Sequence, residues 1–289
     1  MLSPNVCAVC DEQNLKKTAT LSNDFTVWQC PKCETCVSLP APTQEALRKA
    51  YQNFNAGEFS RNSFDTLAKR SEKILKADLA HAGIDDPKGL RLLDYGSGGG
   101  HFLKAAKALG MTALGLEVDE EDVNFARDHD LEVRLLDIPN PTASLKDGEK
   151  FDVIFMNHVL EHVGNPYDLL KGLSDWLAPG GLMIIRTPDQ GSIPSKIKIM
   201  LHRSGGRGKD YGFVQPPIHL HGYSKPSIRA LAKRLNMTVV RLEAVSPLDQ
   251  MEFPTTDAYW VGLGAQKATY QVGKALNSGG HLAYILRRD

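Results

Sequence analysis

The 289-residue chain sets 34 Lys and Arg against 34 Asp and Glu, and 42% of its residues are hydrophobic. That supports a sizeable core, as one large domain or one domain with a small module, and the balanced charge gives no global attraction to nucleic acid or an anionic membrane. No stretch is apolar long enough to span a bilayer, and the opening residues lack the basic and apolar regions of a secretory signal, so a cytoplasmic protein with no membrane partner is expected.

All five cysteines fall near the start: Cys7, Cys10, Cys30, Cys33 and Cys36. The first four form two C-x2-C pairs, a spacing that brings four thiolates around one point and suits tetrahedral zinc. Disulfides fit poorly with a cytoplasmic chain. Four ligands close the site, so the zinc is expected to be structural, and a ribbon this short would draw much of its folding energy from the metal. Cys36 is left over, as a spare thiol or a competitor of Cys33. Pro40 and Pro42 mark the exit, with Thr43 capping a helix from about Gln44. The expected organisation is a zinc ribbon over 1–40, a helical linker over 41–62, and one larger domain over 63–289.

That domain opens with helical spacing: Phe64, Leu67, Ile74, Leu75 and Leu79. Strand and helix then alternate. "LRLLDY" (90–95), "TALGLEV" (112–118), "EVRLLDI" (132–138), "FDVIFMN" (151–157) and "LMIIRTP" (182–188) read as strands. "HFLKAAKALG" (101–110), "EEDVNFARDH" (120–129) and "NPYDLLKGLSDWLAPGG" (165–181) read as the intervening helices, the last running into a turn. Past Pro188 the pattern breaks into a long loop-like, lid-like insertion over 189–222. Its glycines and its Lys196, Lys198, Arg203, Arg207 and Lys209 suit either a mobile cover meeting an anionic acceptor or a solvated loop. Helix returns at "SKPSIRALAKRLN" (224–236) and strand at "MTVVRLEA" (237–244), and "GGHLAYILRRD" (279–289) is a last strand. Regular alternation predicts an α/β fold: a Rossmann-like, doubly wound, mostly parallel sheet with an antiparallel edge strand, plus the small ribbon.

Ligands of such sheets lie beyond the carboxyl ends of the strands, so the strand ends carry the chemistry. The first ends in "LLDYGSGGGHF" (92–102), where Asp94, Gly96, Gly98 and Gly100 fall at alternate positions. The dinucleotide fingerprint G-x-G-x-x-G fails here, because His101 stands where its third glycine belongs. The second strand ends at Glu117, about twenty residues past the glycines, where a carboxylate accepts hydrogen bonds from both ribose hydroxyls. The third ends at Asp137, placed to accept from the exocyclic amine of adenine. Together these favour an adenosine ligand.

The pieces "LLDYGSGGGHF", "GLEVD", "LLDI", "FDVIFMNHVLEHV" and "LAPGGLMIIRTP", in that order, resemble class I S-adenosylmethionine-dependent methyltransferases. The resemblance covers about 90–240. The amino-terminal cysteine module and the late "PPIHLHGYS" (216–224) are similar to bacterial members acting on sugars, polysaccharides or natural products. It implies that backbone at Gly96 and Gly98 lies against the methionyl and ribose portions of the cofactor. Asp94 would hold the ammonium end, Glu117 the ribose and Asp137 the adenine amine, with Ile138 and Met156 sandwiching the ring. The implied acceptor is a small molecule or glycan, methylated at a hydroxyl; nucleic acid is not an expected partner. A hydroxyl must lose its proton, and His162 and His219 are the candidate catalytic bases, ahead of His158 and His221. Competing readings are a nucleic-acid or protein methyltransferase that docks its target through the ribbon, and a cofactor-binding protein without transfer activity.

Overall fold

A computed structural model describes residues 6–43, 45, 46, 58, 61–137, 142–205, 208–245 and 278–289. Ile138, Arg207, and most of the expected helix from Gln44 and of the linker lie outside them.

The main sheet has seven strands in the order β10-β11-β8-β7-β4-β5-β6. They are β4 (Arg91–Tyr95), β5 (Thr112–Glu117), β6 (Glu132–Leu135), β7 (Phe151–Asn157), β8 (Leu177–Pro188), β10 (Met237–Val245) and β11 (His281–Arg288). The five from β6 to β8 run parallel to one another, and β11 runs antiparallel to both β8 and β10. The antiparallel strand is therefore present, but it lies one place in from the edge, which β10 occupies. Its continuous apolar run, Leu282 to Leu286, is fully buried, and an edge position would leave that run half wet.

Successive strand residues feed opposite faces of the sheet. Along β7, Ile154 and Met156 join one core and Val153 and Phe155 the other. The second core is closed by α1 (Phe64–His81), α2 (His101–Ala108) and α3 (Glu120–Asp128), through Leu75, Leu79, Phe102, Ala106 and Val123. The first is closed by α4 (Pro166–Ser174) and α6 (Lys225–Leu235), through Leu169, Leu173, Ile228 and Leu231.

The cysteine module shares that first core through Cys7, Val9, Cys33 and Val37. Its strands β1 (Lys16–Thr20), β2 (Thr26–Gln29) and β3 (Cys36–Leu39) form an antiparallel sheet whose fourth strand, β9 (His221–Gly222), comes from the main body. Further ties cross between them. Ser227 Oγ donates to the Cys33 carbonyl at 3.0 Å, and Arg234 reaches the Ala8 carbonyl at 3.0 Å and Asp11 at 2.8 Å.

Residues 189–222, expected as loop, contain α5 (Ile193–Arg203), capped by Ser192 and followed by a buried return through Tyr211, Val214 and Leu220. Buried Gln190 fixes that return. Its amide donates to the Tyr211 carbonyl at 2.9 Å, and its oxygen accepts from Phe213 N at 2.8 Å and Ser195 Oγ at 3.2 Å. Two of the insertion's basic side chains are engaged on rings, Lys198 over Phe213 and Arg203 over Tyr211.

The helical stripe of α1 includes one charged residue, Asp78, which is 1% exposed. Its two oxygens meet Arg186 of β8 at 2.6 Å and Arg241 of β10 at 2.7 Å, and Arg241 also pairs with Glu243. Removing one member of a buried pair strands the other's charge away from water. Asp78→Ala is expected to cost about 3–5 kcal/mol in urea unfolding. A loss under about 1 kcal/mol, the range of exposed pairs, would show that water already screens the cluster.

Candidate active site

Strand order reverses between β4 and β7, and open α/β sheets bind their ligands beyond the carboxyl ends of the strands at such a switch point. The glycine loop follows β4 and residues 158–162 follow β7, so both lie at that point.

The loop is tied to the end of β5. The amides of Gly96 and Ser97 both donate to the Leu116 carbonyl, at 2.8 and 3.1 Å. Glu117 completes the tie: Oε2 accepts from Gly98 N at 2.7 Å, and Oε1 accepts from Val118 N at 2.7 Å and Asp119 N at 3.0 Å. Burial raises the pKa of Glu117, and the three amides oppose that rise. Asp94 lies deeper. Burial first, and the neighbouring Glu117 charge second, push its carboxyl up to about 8. Ser97 Oγ is buried without a hydrogen-bond partner among the described residues.

The glycines serve different ends. All three of Gly96, Gly98 and Gly100 have positive φ, at 80°, 51° and 87°. A Cβ on Gly96 would stand 2.5 Å from Val159 Cγ2, and one on Gly100 would stand 2.6 Å from Leu131 Cδ1. Gly96 is therefore closed by the segment after β7, and Gly100 by packing under α2. Of the three, only Gly98 has nothing within 4 Å among the described residues. Gly115 of β5 was not foreseen; a Cβ there would meet Ser97 Oγ at 2.6 Å.

Asp137 is exposed, two residues beyond the end of β6. Met156 is a correction to the expected ring sandwich. It is fully buried in the core and has no surface to offer a ligand. Its place on β7 makes it an inward core residue. Exposed apolar surface near the strand ends belongs instead to Val118 (48% exposed) and Leu135 (45%), which sequence alone did not single out. A hydrophobe directly after the strand-end acid was the available signal.

After β7, His158 takes a positive φ of 54° and a short 3-10 turn carries Leu160–His162. Glu161 is fully buried. His158 Nδ1 lies 3.1 Å and His162 Nε2 3.9 Å from Glu161 Oε1. His219 arrives from the insertion's return, its ring centroid 4.8 Å from that of His162. Burial opposes ionisation of Glu161, yet the hydrogen bond from His158 and the three nearby imidazoles hold it down to about 2. Burial lowers His162 and takes His219 to about 4, so both are neutral at pH 7. The structure thus joins His162 to His219 and adds Glu161, for which the H-x-x-E-H spacing was the sequence clue. His221 lies apart, buried in β9 and stacked on Tyr223.

In the ribbon, Cys7 Sγ is 3.6 Å from Cys33 Sγ, and Cys10 Sγ is 3.6 Å from Cys30 Sγ. All four sulfurs lie within 4.8 Å of one another. Zinc–sulfur bonds of about 2.3 Å in a tetrahedron put sulfurs about 3.8 Å apart, so this set fits zinc. The separations are far too long for disulfides. Cys36 is outside the group, buried against Leu21, Val27, Tyr211 and Val214.

A doubly wound sheet with an acid-tied glycine loop at its switch point defines a class I nucleoside-binding fold. The match to the methyltransferase-domain family runs over residues 66–242, and the chain belongs to that family. It is 38% identical over 103 residues to the ubiquinone biosynthesis O-methyltransferase of Roseobacter denitrificans, covering 35% of this chain and 42% of that protein. It is 39% identical over 102 residues to the Ruegeria pomeroyi protein of the same name, covering 34% and 41%. The chain thus aligns with under half the length of these relatives. Among solved structures, the plantazolicin methyltransferase BpumL in complex with SAH has a TM-score of 0.51 at 17% identity, covering 86% of this chain and 92% of that one. A putative sarcosine dimethylglycine methyltransferase from Galdieria sulphuraria has a TM-score of 0.51 at 16% identity, covering 75% and 85%. At such identity these two establish the shared fold.

The two kinds of glycine are separable by stability. Gly148 and Gly100 both have positive φ, but a Cβ on Gly148 meets nothing. Gly100→Ala is expected to lose more in urea unfolding than Gly148→Ala, by about 1–3 kcal/mol of overpacking. Equal losses would mean that Leu131 yields freely.

Proposed function

We propose that this protein transfers a methyl group from S-adenosylmethionine to a hydroxyl of a small-molecule or glycan acceptor. The observation that carries the reading is the buried Asp94 carboxyl beneath a glycine loop whose Gly98 has nothing within 4 Å among the described residues. A carboxyl buried with only another acid as its charged neighbour is costly as an anion and is relieved by a cation. The ammonium end of S-adenosylmethionine fits that need.

S-adenosylmethionine, when bound, supplies an electrophilic methyl group on a sulfonium. The chain's own residues bind and orient. The main chain at Gly96 and Gly98 forms the cradle. Glu117 keeps about one lone-pair site beyond its three amides, on Oε2, and receives a ribose hydroxyl there. Val118 and Leu135 offer apolar surface to the adenine, with Asp137 at its amine and Ile138 alongside. The acceptor enters on the side of residues 158–162 and 219, and its proton is taken up within the Glu161–His162–His219 cluster. The O-methyltransferase names of the aligned relatives support a hydroxyl acceptor.

The four cysteines hold a structural zinc in a ribbon over 1–40, followed by a linker over 41–62 and the methyltransferase domain over 63–289. The ribbon's β3 is spent on pairing with β9, and its knuckles on Ser227 and Arg234. That favours an internal brace over a docking module for a macromolecule.

Glu117→Ala is expected to weaken S-adenosylhomocysteine binding by about 1–3 kcal/mol in calorimetry, and unchanged affinity sinks the ribose assignment. Free Asp94 keeps its proton up to about pH 8, whereas a bound ammonium favours the anion. Binding therefore releases a proton, and affinity rises as pH climbs toward 8. Calorimetry in buffers of different ionisation heat measures that release, which Asp94→Asn should abolish. Elemental analysis is expected to find one zinc per chain, lost in Cys33→Ser; protein with intact thiols and no zinc would exclude the metal site.

A further inference from the structure

The two sides of the candidate site are fastened to different parts of the molecule. On the cofactor side, the amides of Gly96 and Ser97 rest on Leu116, and those of Gly98, Val118 and Asp119 rest on Glu117. Among the described residues, no hydrogen bond joins the cysteine module to β4, to this loop or to β5. The acceptor side is fastened to the module instead, through the insertion's return over 208–222. Ser22 N donates to the Gly208 carbonyl at 3.2 Å, and Asn23 Nδ2 donates to the Pro216 carbonyl at 3.0 Å. Ser38 gives the Leu220 carbonyl both its amide, at 2.9 Å, and its hydroxyl, at 3.3 Å. Leu220 N in turn donates to the Glu161 carbonyl at 2.8 Å. Packing repeats the pattern. Leu21, Val27 and Cys36 of the ribbon share one small core with Tyr211 and Val214 of the return. Cys36 stands three residues past Cys33 and outside the thiolate group, so the fifth cysteine joins the second knuckle to that core. His219 is set by the same return: its Nδ1 lies 3.2 Å from the Phe213 carbonyl.

We infer that metal at the four cysteines positions His219 against the Glu161–His162 turn and leaves the cofactor side unaffected, which makes the ribbon a positioning element for the acceptor. The inference rests on the reading of this cluster as the acceptor side. Its physical basis is an asymmetry of stability. The main sheet is packed with apolar side chains on both faces. A ribbon this short draws much of its folding energy from its metal. Releasing the metal frees both knuckles, and β2 and β3 lose the frame that aligns them. The return then loses the donors of Ser38 and the floor at Val27. Gly98 and Glu117 lose no partner. Segments that open locally in this way do so at lower free energy than the whole fold.

Hydrogen exchange of the full chain, read by mass spectrometry before and after a chelator strips zinc under reducing conditions, tests the coupling. Peptides over 158–163 and 211–222 are expected to exchange at least about tenfold faster in the stripped chain, while those over 94–100 and 114–119 keep their rates. S-adenosylhomocysteine affinity in calorimetry should hold within about twofold, and returning zinc should restore slow exchange. Val27→Ala thins the shared core and spares every thiolate. In the zinc-loaded chain it should speed exchange over 211–222 and leave 94–100 unchanged. A parent chain without zinc overturns the inference, as does retained protection over 211–222 once zinc is stripped. Equal loosening on both sides, wholesale unfolding included, overturns it too, and so does Val27→Ala with no effect on exchange. Failure of the zinc-loaded parent to bind S-adenosylhomocysteine would sink the methyltransferase reading instead, and the exchange rates would still decide the coupling.

Discussion

The carboxylate of Glu117 is the fastening on which the candidate site depends. It sits at the end of β5 and accepts the amide of Gly98 in the glycine loop, together with the amides of Val118 and Asp119. One buried side chain thereby fixes the glycine loop, the strand end and the start of α3 relative to one another. A charge-assisted bond to backbone is stronger than a neutral one, and burial keeps water from competing for it. Asp94 is held close behind, and the Glu117 charge helps to keep its proton on. The pair sets two buried carboxyls side by side, with each one's charge opposed by burial. A ligand with an ammonium end and a ribose answers both needs at once.

The second organising constraint is the continuity between ribbon and body. β9 belongs to the chain that brings His219 toward Glu161, and it is also the fourth strand of the cysteine module. Leu220 joins the two: its amide donates to the Glu161 carbonyl at 2.8 Å, and its carbonyl accepts from Ser38 N at 2.9 Å. The cysteine module therefore braces the segment that carries Glu161 and His162 through backbone hydrogen bonds on both sides of Leu220. A separate ribbon on a flexible tether would carry no such path.

Much of the body was legible in the sequence because burial imposes periodicity. The five parallel strands, the helices between them and the glycine loop fell close to where apolar spacing and punctuation put them, though β8 starts at Leu177, within residues read as helix and turn. The site was legible in part: the four cysteine sulfurs gather within 4.8 Å of one another, and Glu117 ties the glycine loop that follows Asp94. Met156 misled, since a residue near a strand end can point inward as readily as toward a ligand, and pleat alone decides. Val118 was missed because a single hydrophobe has no pattern. Asp78, Arg186 and Arg241 read as ordinary charges, since their partners stand on three different elements.

By itself the sequence determined what local rules can fix: the alternation of strand and helix, positive-φ positions for glycine, and the thiolate spacing of the knuckles. These depend on neighbours within a few residues along the chain. Tertiary structure alone decided the placement of β11 inside the sheet, the sharing of β9 with the ribbon, and the meeting of His219 with Glu161. Each of those joins segments far apart in the chain, through hydrogen bonds and burial that exist only once both partners are folded. No periodicity records such a pairing, because its energy belongs to the contact and to neither segment on its own.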